Sequence, residues 1–223
     1  MQATTETSLG DLAAAEPSAP RVLLRHRLDF CCGGKRTLAQ ACATAGLDAG
    51  AVLAELAAEA ARGDEGTRWE QAALADLADH LEAHYHAALR RDLPALLEAA
   101  RRVERVHAQK PAVPAGLADL LAELLADLLD HMAKEERILF PAIRRGGRGP
   151  AVYLPIRVLE AEHDAHGARL ARIRELTGDL EAPPYACTTW RALYAGLVTL
   201  EAELMQHIHL ENHILFARAA LGG

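Results

Sequence analysis

Two blocks of the chain share one pattern: His131-Met132-Ala133-Lys134-Glu135-Glu136-Arg137-Ile138-Leu139-Phe140 and His207-Ile208-His209-Leu210-Glu211-Asn212-His213-Ile214-Leu215-Phe216. Leu117, Leu121, Leu124 and Leu128 lead into the first, and Leu193, Leu197, Leu200 and Leu204 lead into the second. Steps of three and four residues stay on one helix face, so the His and Glu of each block extend an apolar stripe. A chain with two such helices must fold so that both polar pairs reach a shared interior.

The breaks in helical pattern say how. From Trp69 onward they fall at Lys110-Pro111-Ala112-Val113-Pro114, at Gly146-Gly147-Arg148-Gly149-Pro150 and at Pro183-Pro184. Three breaks leave four helices, arranged as two similar hairpins, which is the pattern of an antiparallel four-helix bundle. Pro94 lies inside the first helix, where a missing amide donor favours a kink. Hydrophobic residues make up 51% of the chain but aromatics only 4%. Ala and Leu dominate and β-branched runs are scarce, so the fold class is all-α.

Residues 1–66 read as a small helical domain with a linker, and 67–223 as the bundle. In the first, a short helix opens at Asp11 and stops before Pro17, and another covers Val22 to His26. A turn follows over Asp29-Phe30-Cys31-Cys32-Gly33-Gly34, then helices over Lys35–Ala45 and Ala49–Ala61, the earlier closed by Gly46. Gly63-Asp64-Glu65-Gly66 reads as the linker.

The net charge of -7 argues against nucleic acid or an anionic membrane as partner. No apolar run approaches the ~20 residues of a membrane span, and the first residues lack a signal-peptide pattern, so a cytoplasmic setting is expected. Cys31, Cys32, Cys42 and Cys187 form neither a CxxC nor a paired framework, which fits reduced thiols.

Eleven histidines remain to be explained. One buried His–Glu pair is most simply two side chains hydrogen-bonded to each other. Two pairs at equivalent ends of a duplicated hairpin point instead to a metal, because a buried carboxylate without a cation is costly. In an antiparallel hairpin, residues equidistant from the turn lie level. The point midway between His86 and His131 falls at 108–109, and that between His163 and His207 falls at 185, each beside a break. His86 and His163 are therefore candidate ligands with His131, Glu135, His207 and Glu211. His84 passes the same test, and the stripe Leu74, Leu77, Leu81, Tyr85 points slightly closer to it, so spacing leaves both open.

His107 lies near the hairpin end, roughly 30 Å from His86 along a straight helix. His166 sits near a core face, His209 and His213 are expected to face solvent, and His26 and His80 read as surface or capping residues. Four imidazoles and two carboxylates suit iron or manganese better than a thiolate-rich zinc site. With both glutamates bridging, positions stay open for an oxo bridge and for O2 or NO.

These residues resemble the hemerythrin-like family, and more closely its branch for the repair of iron centres. The resemblance runs through Leu9-Gly10-Asp11-Leu12, Asp29 to Lys35, Val103 to Pro111, His131 to Glu136, Glu162-His163-Asp164, Cys187 to Trp190 and His207 to Asn212. It implies a bundle with two non-haem irons per chain, oxo- and carboxylate-bridged. The implied ligands are His86, His131, His163 and His207, with Glu135 and Glu211 bridging; this favours His86 over His84 and keeps His107 in second rank.

Cys31 and Cys32 resemble the family's vicinal pair and are expected to be exposed redox thiols on a tight turn. Cys42 and Cys187 are expected to be structural. Asp127 and Glu162 are candidate carboxylates behind the ligands or along a channel.

The implied function is repair of iron–sulfur clusters damaged by nitrosative or oxidative stress, through iron supply or handling of NO. Damaged iron–sulfur proteins would be the partners, and a homodimer is possible. An O2 or NO sensor or carrier, or an enzyme reducing NO, are the alternatives that the same bundle permits.

Overall fold

Short polar caps start the helices of the first sixty residues. Ser8 caps α1 (Leu9–Ala15) by accepting from the Asp11 amide. Pro20 sits in the first turn of α2 (Ala19–Arg25), where its missing N–H is not needed. Thr37 and Gln40 form a capping box at the start of α3 (Leu38–Ala45), and Asp48 caps α4 (Ala49–Ala60). Gly46 ends α3 in the left-handed region, φ 69°. The computed structural model describes residues 3–62, 67–147 and 149–221, and the expected linker at Gly63–Gly66 lies outside them.

The chain divides into two compact units, Met1–Ala78 with Met205–Gly223 and Asp79–Leu204. In the first, Leu9, Leu12, Val22, Leu23, Leu28, Phe30, Leu38, Cys42, Val52 and Leu56 make the core, with Met205 packed on it. There α2 packs on α4, and α1 packs on the π-helical turn Leu210–Phe216. Each fully buried leucine contributes about 1.5–3 kcal/mol.

In the second unit, α6 (Ala87–Val106) packs on α7 (Leu117–Lys134), and α7 on α9 (Pro150–Thr177). The chain also forms α5 (Leu74–His80) ahead of α6 and α8 (Phe140–Arg144) between α7 and α9, and it ends with α10 (Thr188–His209) and α11 (Ala217–Leu221). Four helical runs, 74–106, 117–144, 150–177 and 188–221, are thus separated at the three expected breaks. The described residues contain no named strand, only an isolated bridge between Ser8 and Thr37, and the fold is all-α. None of the described helices is long and apolar enough to cross a membrane.

Pro94 does not interrupt α6. It is exposed, so the carbonyl one turn back can be satisfied by water. The runs are interrupted instead by π-helical turns at Leu81–His86, Glu135–Leu139 and Leu210–Phe216. Each holds one of the candidate ligands His86, Glu135 and Glu211, and π turns inside α-helices concentrate at functional sites.

Candidate metal centre

The six principal candidate ligands occupy buried positions that elsewhere in these helices hold leucine or another apolar residue. On α7 the buried series Leu117, Leu121, Leu124, Leu128 and His131 continues to Glu135, where the first residue of the π turn follows the helix. On α9 the buried series is Ile156, Leu159, His163, His166 and Leu170. On α10 it is Leu193, Leu197, Leu200, Leu204 and His207. His86, His131, Glu135, His163, His207 and Glu211 are each at most 1% exposed.

Within Asp79–Leu204 the side chains converge on Glu135. Its Oε2 lies 3.4 Å from His86 Nε2 and 3.5 Å from His131 Nε2, and His163 Nε2 lies 3.0 Å from His131 Nε2. Ligand atoms of His131, Glu135 and His163 all fall within 4.8 Å of one another. Each Glu135 spacing is long for a strong hydrogen bond but suits two donor atoms that share an ion with bonds of about 2 Å.

The outer ring nitrogens are occupied. His86 Nδ1 is 2.8 Å from Glu136 Oε1, and His131 Nδ1 is 2.9 Å from Glu162 Oε2. The carboxylate accepts a hydrogen bond from Nδ1–H, which leaves the Nε2 lone pair for a metal. Arg90 pairs with Glu136, and Lys134 with Glu162 and Asp130. Burial alone would raise the Glu136 carboxyl, but His86 and Arg90 hold it below the usual carboxylate range.

In the other unit the second block repeats the pair: His207 Nε2 lies 2.9 Å from Glu211 Oε1. A nitrogen and oxygen donor set buried in an apolar surround fits iron, and a carboxylate this deep requires a compensating cation or a proton. The buried His/Glu cluster is compatible with a di-iron site.

The remaining histidines separate clearly. His84 is exposed and stacks on His80 at 5.2 Å, on the side away from buried His86. His107 caps the end of α6, with its Nε2 3.2 Å from Cys187 Sγ, and joins no ligand group among the described residues. His166 is buried beside His131, ring centroids 5.0 Å apart; burial, then the His131 and His163 charges, push it down to about 3, so it is neutral. His26 caps α2 and meets Glu55 at 2.6 Å.

His209 and His213 depart from expectation. They are turned away from the His207 face, as the ~100° advance per residue requires, yet that opposite face is covered. His209 is 1% exposed and meets Phe30 edge-on at 5.5 Å. His213 Nε2 donates to the Cys31 carbonyl at 3.0 Å.

The vicinal thiols also differ from the expected exposed pair. Asp29 Oδ1 accepts from the amides of Cys31 and Cys32, both at 3.1 Å, and Oδ2 accepts from Gly33 at 2.9 Å. This turn buries Cys31 and leaves Cys32 half-buried, with the sulfurs 3.7 Å apart. The hydrogen bond to Cys32 and burial both raise the Cys31 thiol, so it holds its proton. Cys42 is buried as expected of a structural residue, whereas Cys187 is exposed.

Of the expected supporting carboxylates, Glu162 touches a ligand and Asp127 pairs with Arg169 on the surface. Glu136 was not legible as a partner, because it serves a histidine on another helix and no spacing within its own helix marks it.

The arrangement defines a hemerythrin-type cation-binding protein, and comparison agrees. Residues 83–219 match the hemerythrin HHE cation binding domain. Residues 5–60 match ScdA_N, a domain of unknown function (DUF542). The chain is 46% identical over 215 residues to the iron-sulfur cluster repair protein YtfE of Yersinia pseudotuberculosis serotype IB (strain PB1/+), covering 96% of this chain and 97% of that protein. YtfE of Yersinia pestis (strain Pestoides F) matches with the same identity and coverage. The chain belongs to the hemerythrin-like family, in the branch of the YtfE iron–sulfur cluster repair proteins.

Proposed function

We propose that this protein repairs iron–sulfur clusters damaged by nitrosative or oxidative stress, using two non-haem irons. His86, His131, His163 and His207 would hold the two irons, with Glu135 and Glu211 shared between them. The observation that carries this reading is Glu135, whose single oxygen lies 3.4 Å and 3.5 Å from two imidazoles. The likeness to YtfE over both domains supports the repair role.

When bound, the iron pair supplies redox chemistry and open positions for NO or O2. The chain's own residues do the rest. Glu136 and Glu162 fix the His86 and His131 tautomers and ring planes, and the leucine stripes exclude water. We place the domain division at residues 1–66 and 67–223, the protein in the cytoplasm, and damaged iron–sulfur proteins as its targets. Neither nucleic acid nor membrane is a partner, and two copies can associate. The Cys31–Cys32 pair is assigned to thiol exchange, with the more accessible Cys32 as the entry point.

The test is metal content per chain after anaerobic purification, with an optical spectrum and reactivation of an NO-damaged cluster enzyme. Two irons with reactivation support the reading. One metal or none in folded protein removes it, and reversible O2 binding without reactivation makes the protein a carrier or sensor. Turnover of NO with an added electron donor makes it an enzyme.

A further inference from the structure

At the other end of α6, about 30 Å from His86 by the rise of its twenty residues, a thiol and an imidazole meet. His107 Nε2 lies 3.2 Å from Cys187 Sγ. The imidazole is held by packing on Trp190, ring centroids 5.1 Å apart, and Trp190 is fully buried. Cys187 is the exposed cysteine of the four, and its carbonyl accepts from the Arg191 amide in the first turn of α10. The sulfur therefore sits at the start of a 22-residue helix, where the backbone favours negative charge.

Two cations stand at the same loop. Lys110 Nζ lies 5.5 Å above the Tyr185 ring, and the Arg191 guanidinium donates to the carbonyls of Pro184 and Ala186. An exposed sulfur, a base in contact with it and flanking positive charge are the parts of a nucleophilic thiol site. Nothing in the metal site uses them.

We propose that Cys187 and His107 form a thiol–disulfide exchange site for anionic low-molecular-weight disulfides of the glutathione type. Cys187 Sγ attacks one sulfur of the disulfide, forming the mixed disulfide as the original S–S bond breaks. His107 Nε2 takes the thiol proton and passes it to the departing thiolate. Cys187 is oxidised and half of the small disulfide is reduced to a thiol, so no other oxidant is required. Excess thiol reverses the step, and the protein carries a record of the thiol poise around it.

The experiment treats the reduced full-length protein with glutathione disulfide at neutral pH and follows each cysteine by peptide mass spectrometry. In the folded protein, Cys187 should react at least about tenfold faster than in the same chain unfolded in urea. Glutathione disulfide should gain more from folding than the dicationic cystamine. His107→Asn should remove most of the gain, with iron content and circular dichroism unchanged. Equal rates for folded and unfolded Cys187 would overturn the proposal without any variant, as would a His107→Asn rate equal to the parent's. A larger gain for cystamine would overturn the anionic class.

Discussion

The two His-x-x-x-Glu blocks have matching inner faces and different outer faces. In the first block Arg137 and Ile138 are exposed, and Ile138 is 53% accessible. In the second, the residues standing at the places of Ala133 and Arg137 are His209 and His213, which meet Phe30 and the Cys31 carbonyl. The inner face carries the buried His and Glu of each block and repeats. The outer face follows what packs on it, so one block leaves that face exposed and the other uses it to anchor the small helical core. A duplicated motif therefore carries a common chemistry and two different structural duties.

The largest expected effect tests the sameness of the inner faces. Glu135→Ala and Glu211→Ala should each reduce bound iron from two per chain to one or none, measured by metal analysis. Because each glutamate stands at the same place in its block, the two losses should match. A variant of either that keeps both irons would break the equivalence and the ligand assignment together.

That equivalence was legible in the sequence because it rests on spacing. The breaks at Pro111–Pro114, Gly146–Pro150 and Pro183–Pro184 are local chemistry, and the leucine series needs only the period of an α-helix. The choice between His84 and His86 was not legible from spacing. In an uninterrupted α-helix the stripe through Leu77 and Leu81 points toward His84. The π turn at Leu81–His86 closes its hydrogen bonds one residue later and advances each residue through a smaller angle. That brings His86 inward and leaves His84 outside. The burial of His209 and His213 escaped for another reason: it depends on Phe30 and Cys31, far away in sequence, and no period records that.

The outer faces should respond unequally. Phe30 is fully buried in its core and touches His209. Phe30→Ala should cost about 3–5 kcal/mol in a denaturant titration, through lost burial and the cavity left behind. Ile138→Ala, on the exposed face of the first block, should stay within about 0.5 kcal/mol of the parent. Equal effects would mean that the outer face of the second block is no better packed than that of the first.

A finer probe of the same contact is Gly34. A Cβ there would stand 2.3 Å from His213 Nε2 and 2.5 Å from the Phe30 carbonyl oxygen, so the backbone or the imidazole must shift. Gly34→Ala should destabilise by about 1–3 kcal/mol. Combining it with His213→Ala should restore part of the loss, because the imidazole is the movable obstacle. No restoration would place the strain at the carbonyl instead.

The smallest expected effect lies between the blocks' next residues, Glu136 in one and Asn212 in the other. Glu136 Oε1 meets His86 Nδ1 at 2.8 Å and is paired with Arg90. Glu136→Asn gives the first block the residue of the second and replaces a charged acceptor with a shorter, neutral one. The His86 ring would keep its place in the core but lose the carboxylate that raises its basicity. Loss of such an outer partner weakens metal binding by about 10–100-fold. The shorter amide should put this variant near the lower limit, read by competition with a chelator, with thermal unfolding of the iron-free chain little changed. Unchanged affinity would mean that Glu136 belongs to the surface ion pair with Arg90, and that the blocks differ only in what covers them.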